Sequence, residues 1–153
     1  MNKKEKKIIL ARIEKWYSKL PNLFFQHQKK FLAKYGWSEK ATSFNDRKKL
    51  QYKVIEEKQE WGKEWESAWF HLEGEIPSDW VGKDIYADLD FSGEGLVYDQ
   101  SGSPLQGITN ASIWDKNFAR TRVPLFKNCS DVQKFDIWVE AAANSLFGVY
   151  LDP

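Results

Sequence analysis

Two carboxylates stand close together in GEGLVYDQSGSPLQGIT, residues 93–109: Glu94 between two glycines, and Asp99 ahead of a Ser-Gly-Ser-Pro run. Paired acids across a scissile bond are what a glycosidase needs. Five residues along an extended strand would separate these two by roughly 16 Å, too far for a dyad within one strand. Another segment would have to fold over Glu94 to complete it. Glu94 could also accept a sugar hydroxyl or bind turn amides, and the stretch could be a hairpin whose residues only bend the chain.

Other chemistry is thinner. Asp84, Asp88, Asp90, Glu94 and Asp99 suggest a calcium ion, but their spacing is not that of the D-x-[DN]-x-[DN]-G loop. Carboxylates alternating along one strand face are equally explained by solvation. His71-Leu72-Glu73 matches H-x-E, yet a single cysteine, Cys129, rules out the C-x-x-C that completes a zinc deaminase. Cys129 has no histidine near it in sequence to activate the thiol. No H-E-x-x-H, G-x-S-x-G or phosphate loop occurs. No catalytic residue and no metal ligand is assigned from these motifs. There are eight tryptophans. Trp65, Trp69 and Trp80 are read as core, while Trp114 in a loop-like stretch and Trp138 on a polar strand face are candidates, with Glu94, for stacking on and binding a sugar.

A length of 153 residues allows one domain with an appendage. The lone cysteine excludes an intrachain disulfide and suits a reducing compartment. The lysine-rich start resembles a signal peptide, but Arg12 interrupts its apolar run and no cleavage site follows. A cytoplasmic protein with no membrane partner is expected. Residues 1–53 carry 15 Lys+Arg against 4 Asp+Glu, a net of +11; residues 54–153 carry 8 against 18, a net of −10. The basic half has none of the recognised nucleic-acid-binding patterns. It is read as a solvated helical arm drawn to its acidic neighbour, with no nucleic acid as partner.

The elements follow from periodicity. Ile9, Ile13, Trp16 and Leu20 fall on one face of a helix stopped by Pro21. A second helix is expected after Asn22, with Phe24, Phe31 and Tyr35 on one face and Gly36 at its end. Residues 37–58 are polar and undecided, and KKLQYKVIEEKQEW, residues 48–61, fits either a short helix or a strand. From Trp61 the period becomes two. Ile85, Ala87, Leu89 and Phe91 alternate with Tyr86, Asp88 and Asp90; Phe135, Ile137, Val139 and Ala141 alternate with Asp136, Trp138 and Glu140. Gln100, Ser101 and Gly102 form a hairpin turn. The domains are then a helical segment, 1–58, and an antiparallel sandwich, 59–153.

Several uncommon words occur in a familiar order: Trp61-Gly62, Trp69-Phe70, Ile76-Pro77 with Trp80 and Gly82, Gly93 to Val97, Gly102 through Thr109, and Val139–Gly148. Over residues 61–148 the sequence resembles the N-terminal non-catalytic domain of glycoside hydrolase family 38 α-mannosidases, cytosolic and vacuolar branch. The resemblance implies a mainly β, antiparallel, jelly-roll-like (galactose-binding-like) sandwich preceded by an α-helical arm. It implies an accessory domain of an enzyme that hydrolyses terminal α-mannosides with retention. Its partner would be the α-mannosidase catalytic domain, in cis or in trans, and a homo-oligomer is compatible with that. No cofactor is expected in this chain. Zinc or another divalent metal belongs to the catalytic domain, whose ligands and nucleophile match no position here. The alternatives are a free-standing module that binds mannosides, and an enzyme using Glu94 and Asp99. If the catalytic domain is missing, the end LFGVYLDP is expected to be part of an orphaned apolar face.

Overall fold

The computed structural model describes all residues except 1, 21, 22, 24, 26, 39, 40, 111–117 and 145–153. Trp114, Phe24, the Pro21–Asn22 helix boundary and the LFGVYLDP end therefore lie outside the described residues. The chain divides into two compact units, Met1–Lys30 and Phe31–Pro153.

The first unit carries helix α1, Lys3–Tyr17. Asn2 and Glu5 start it with reciprocal bonds: the Glu5 amide donates to Asn2 Oδ1 at 2.9 Å, and the Asn2 amide to Glu5 Oε2 at 2.8 Å. This is a capping box. The face bearing Ile9, Ile13 and Trp16 is formed as the spacing predicts, but the helix buries none of its side chains.

The second unit is β-structure. Its strands are β1 (Leu32–Ser38), β2 (Tyr52–Val54), β3 (Ser67–Glu75), β4 (Ile85–Asp88), β5 (Glu94–Tyr98), β6 (Pro104–Thr109), β7 (Arg122–Phe126) and β8 (Lys134–Ala142). Six strands form one antiparallel sheet in the order β2-β1-β3-β8-β5-β6, and β4 pairs with β7 in a second. The long central pair is β3 with β8, in register from Ser67↔Ala142 to Glu75↔Lys134.

The second expected helix is corrected. Leu32–Ser38 is strand β1, and the sheet unit takes in residues assigned from sequence to the helical segment. Phe31 and Tyr35 are four apart, a spacing that satisfies both the helical period and the strand period of two. Pairing with β3 on one side and β2 on the other decides for strand. The stretch 48–61 resolves likewise: strand β2 forms within it, shortly after a 3-10 turn at Arg47–Lys49.

The core lies between the two sheets. Phe70, Leu72, Val97, Ile137 and Val139 on the larger sheet cluster with Ile85, Ala87 and Val123 from the smaller one and with Leu89 just past β4. Phe70 is its aromatic centre, with Phe91 at 4.4 Å, Trp61 at 5.0 Å and Tyr35 at 5.8 Å between ring centroids. Of the tryptophans read as core, Trp80 is half-buried against this cluster. Trp65 is corrected: it is 45% exposed, with a positive φ of 70°. Trp69 is buried, but on the opposite face of its strand, in a separate layer.

Candidate functional site

That second layer is built by alternation. On β3, Ala68, Phe70 and Leu72 point to the core, so Trp69, His71 and Glu73 point away. On β8 the same rule turns Asp136, Trp138 and Glu140 outward. The register then places Lys34, His71, Trp138 and Tyr98 side by side across four strands. Polar pairs tie the rows: Lys34 Nζ to Glu73 at 2.7 Å, His71 Nε2 with Asp136 Oδ1 at 3.0 Å, and Tyr98 Oη donating to Glu140 at 3.4 Å.

A strap, residues 41–50, crosses this outer face. Ser43 and Asp46 form its turn, the Asp46 amide donating to Ser43 Oγ at 3.2 Å. Trp69 Nε1 donates to the Thr42 carbonyl at 2.8 Å, and the Phe44 ring lies 5.7 Å from Trp69 and 5.3 Å from Tyr98. Arg47 is 3% exposed. Its guanidinium carbon is 3.3 Å from the Phe44 ring centroid and 4.2 Å from that of Trp138. The His71 ring is stacked on Trp138 at 4.1 Å and 9°. The result is a pile of Phe44, Arg47, Trp138 and His71, each in contact with the next, in which cation–π attraction replaces part of the hydration the guanidinium has lost. Arg47 Nη1 donates to the Phe44 carbonyl, and Tyr52 Oη donates to the Arg47 carbonyl at 3.0 Å. Burial lowers the guanidinium's pKa and pushes the Tyr52 phenol up to about 12. Beside the pile opens a cleft of about 370 Å³, lined by Arg47, Lys48, Tyr52, His71, Gln100, Asp136 and Trp138.

The residues singled out from sequence fall in different places. Trp138 is on the outward face, as alternation requires, but it is 7% exposed and its ring is already engaged by His71 and Arg47. Glu94 is exposed at the start of β5, where Asn144 Nδ2 donates to its carboxylate at 2.9 Å. Asp99 stands past the other end of β5 and closes the turn to β6. It accepts from the Ser101 hydroxyl at 2.6 Å and from the Ser101 and Ser103 amides at 2.8 and 2.9 Å. These bonds, that of the Ser101 hydroxyl foremost, hold its pKa below the usual carboxylate value. So the structure does not bring Glu94 and Asp99 together, and the opening stretch is a hairpin. Gln106 Nε2 donates to the Arg122 carbonyl at 2.9 Å. Pro104, which lacks an amide proton, sits on an edge strand where that loss is tolerated.

The acids read against calcium are each engaged locally. Asp84 accepts from the Asn128 amide at 2.8 Å, Asp88 from the Thr121 hydroxyl at 2.6 Å, and Asp90 from the Ser92 amide at 2.8 Å. Among the described residues no cluster of three His, Cys, Asp or Glu side chains could hold a metal ion. Sequence reasoning passed over Arg47, Tyr52 and His71 as a group. Outward alternation on the two central strands signalled His71 and Trp138, but nothing periodic in FNDRKKLQYK announces that Arg47 will lie on them.

A six-stranded antiparallel sheet facing a two-stranded one makes this unit an open β-sandwich. The family described as "Alpha-mannosidase, jelly roll domain" matches residues 28–153, and the chain belongs to that family. Alpha-mannosidase G of Dictyostelium discoideum is 29% identical over 110 residues, which is 72% of this chain and 10% of that protein. Alpha-mannosidase 2C1 is 33% identical over 87 residues in Mus musculus and 34% over 89 in Homo sapiens, each match taking 57% of this chain and 8% of the relative. The chain thus spans a tenth or less of the length of these relatives. Among the described residues no helix is long and apolar enough to cross a membrane.

Proposed function

We propose that this chain is a non-catalytic accessory domain of an α-mannosidase, which packs on the catalytic domain and helps to shape it. The observation that carries the reading is the match of residues 28–153 to an α-mannosidase jelly roll domain, a region that takes up a tenth or less of relatives bearing that enzyme's name. The local engagement of Glu94 and Asp99 supports the non-catalytic part. The hydrolytic chemistry, and the zinc or other divalent ion it uses, then belong to the catalytic domain. Two measurements test this. Purified chain is expected to show no turnover of an aryl α-mannoside with zinc or cobalt present. Co-expressed with the remainder of an α-mannosidase, it is expected to co-purify with it. Turnover by the pure chain that a chelator abolishes would overturn the non-catalytic role, and failure to co-purify would overturn the packing.

A further inference from the structure

Arg47 is more deeply buried than a lone cation should be. It is 3% exposed, and its Nε–H is buried with no hydrogen-bond partner. Two aromatic faces and the Phe44 carbonyl hold it. Among the described residues no carboxylate forms an ion pair with it. Asp136, the acid nearest in effect, is bound to His71 at 3.0 Å. A buried charge left without a counter-ion is destabilising, and a buried polar group without a partner calls for an explanation. Arg47 is also one of the residues lining the open cleft of about 370 Å³, a volume in the range of small-molecule sites. Lys48 adds a second cation to the cleft wall and Gln100 a neutral amide.

We propose that this cleft binds a small ligand carrying an oxyanion beside hydroxyl groups: a sugar phosphate or a sugar acid. Arg47 and Lys48 meet the oxyanion, Gln100 donates to it, and Asp136, already oriented by His71, accepts from a neighbouring hydroxyl. An acid at the rim disfavours a bare dianion and favours a hydroxylated one. Charge-assisted bonds of this kind are the strong ones, and a guanidinium is suited to phosphate and carboxylate alike. The proposal does not depend on packing against a catalytic domain, so either can fail alone.

The test is a titration of the purified chain followed by the Arg47 Nε–Hε and Trp138 indole N–H resonances. The probes are mannose 6-phosphate, glucuronate, inorganic phosphate and mannose at millimolar concentration. Saturable shifts are expected with mannose 6-phosphate or glucuronate, and whichever binds identifies the oxyanion. Added salt should weaken the effect. Lys48 is exposed, so Lys48→Ala keeps the fold and is expected to weaken binding about tenfold, the loss of one charge-assisted contact. Arg47→Met should abolish binding; because Arg47 also holds the strap, Lys48→Ala carries the decision if that variant misfolds. The proposal is overturned if no probe shifts these resonances, if mannose or inorganic phosphate binds as well as the charged sugars, or if Lys48→Ala leaves affinity unchanged.

Discussion

Tyr52 shows what one hydroxyl does in the strap. It donates to the Arg47 carbonyl, and burial, opposed by the charge of Arg47, raises its pKa from 10.0 to about 12. Below pH ~10 the phenol is protonated in both folded and unfolded chains. Between there and about 12 only the folded chain keeps the proton. The folded state then binds more protons, so stability falls as pH rises through that window. Denaturation midpoints of the native chain are expected to decline across it. Tyr52→Phe should remove that Tyr52-linked decline and lower stability at neutral pH by about 1 kcal/mol, the usual net value of one hydrogen bond. An equal slope in both proteins would show that Tyr52 is not the group responsible.

Among the elements, the β5–β6 turn and the strap are fitted to each other. Gly102 has a φ of +91°, and a Cβ there would meet the Phe44 ring at 2.7 Å. Gly102→Ala therefore strains the turn and pushes Phe44 off Trp69 and Tyr98; a loss of about 2 kcal/mol is expected, more than a compatible site would show. Gly107, in the neighbouring strand, has nothing within 4 Å of a built Cβ. Gly107→Ala should change stability by less than ~0.5 kcal/mol. Thermal melts of both variants, with tryptophan fluorescence as a readout of the strap, check this. Similar behaviour of the two would mean that the contact with Phe44 does not decide the turn. The hairpin itself was legible, because glycine, serine and proline chemistry is local. Its contact with Phe44, more than fifty residues away in sequence, was not.

For the molecule as a whole, the division at Lys30 and Phe31 has a measurable consequence. The sheet unit holds the whole core cluster, and α1 buries none of its side chains. An isolated helix of this length is marginal in water. Residues 31–153 alone are expected to melt cooperatively, with stability within ~1 kcal/mol of the full chain and with the helical part of the circular dichroism reduced. Loss of cooperative melting on deleting residues 1–30 would show that the sheet unit needs them.

The sequence by itself determined the β character of the second half, the inward and outward faces of the alternating stretches 85–91 and 135–141, the hairpin and the family words, because each depends on residues a few positions apart. Only the tertiary structure decided that Tyr35 lies on a strand, with Phe31 just ahead of it, since their spacing suits both periods and the pairing of β1 with β3 breaks the tie. Tertiary structure also put β8 between β3 and β5 and laid Arg47 on Trp138. Pairing order and burial come from contacts between segments distant in sequence, which no local period encodes. The pile of Phe44, Arg47, Trp138 and His71 draws on the strap and two strands, and it exists only once all three have met.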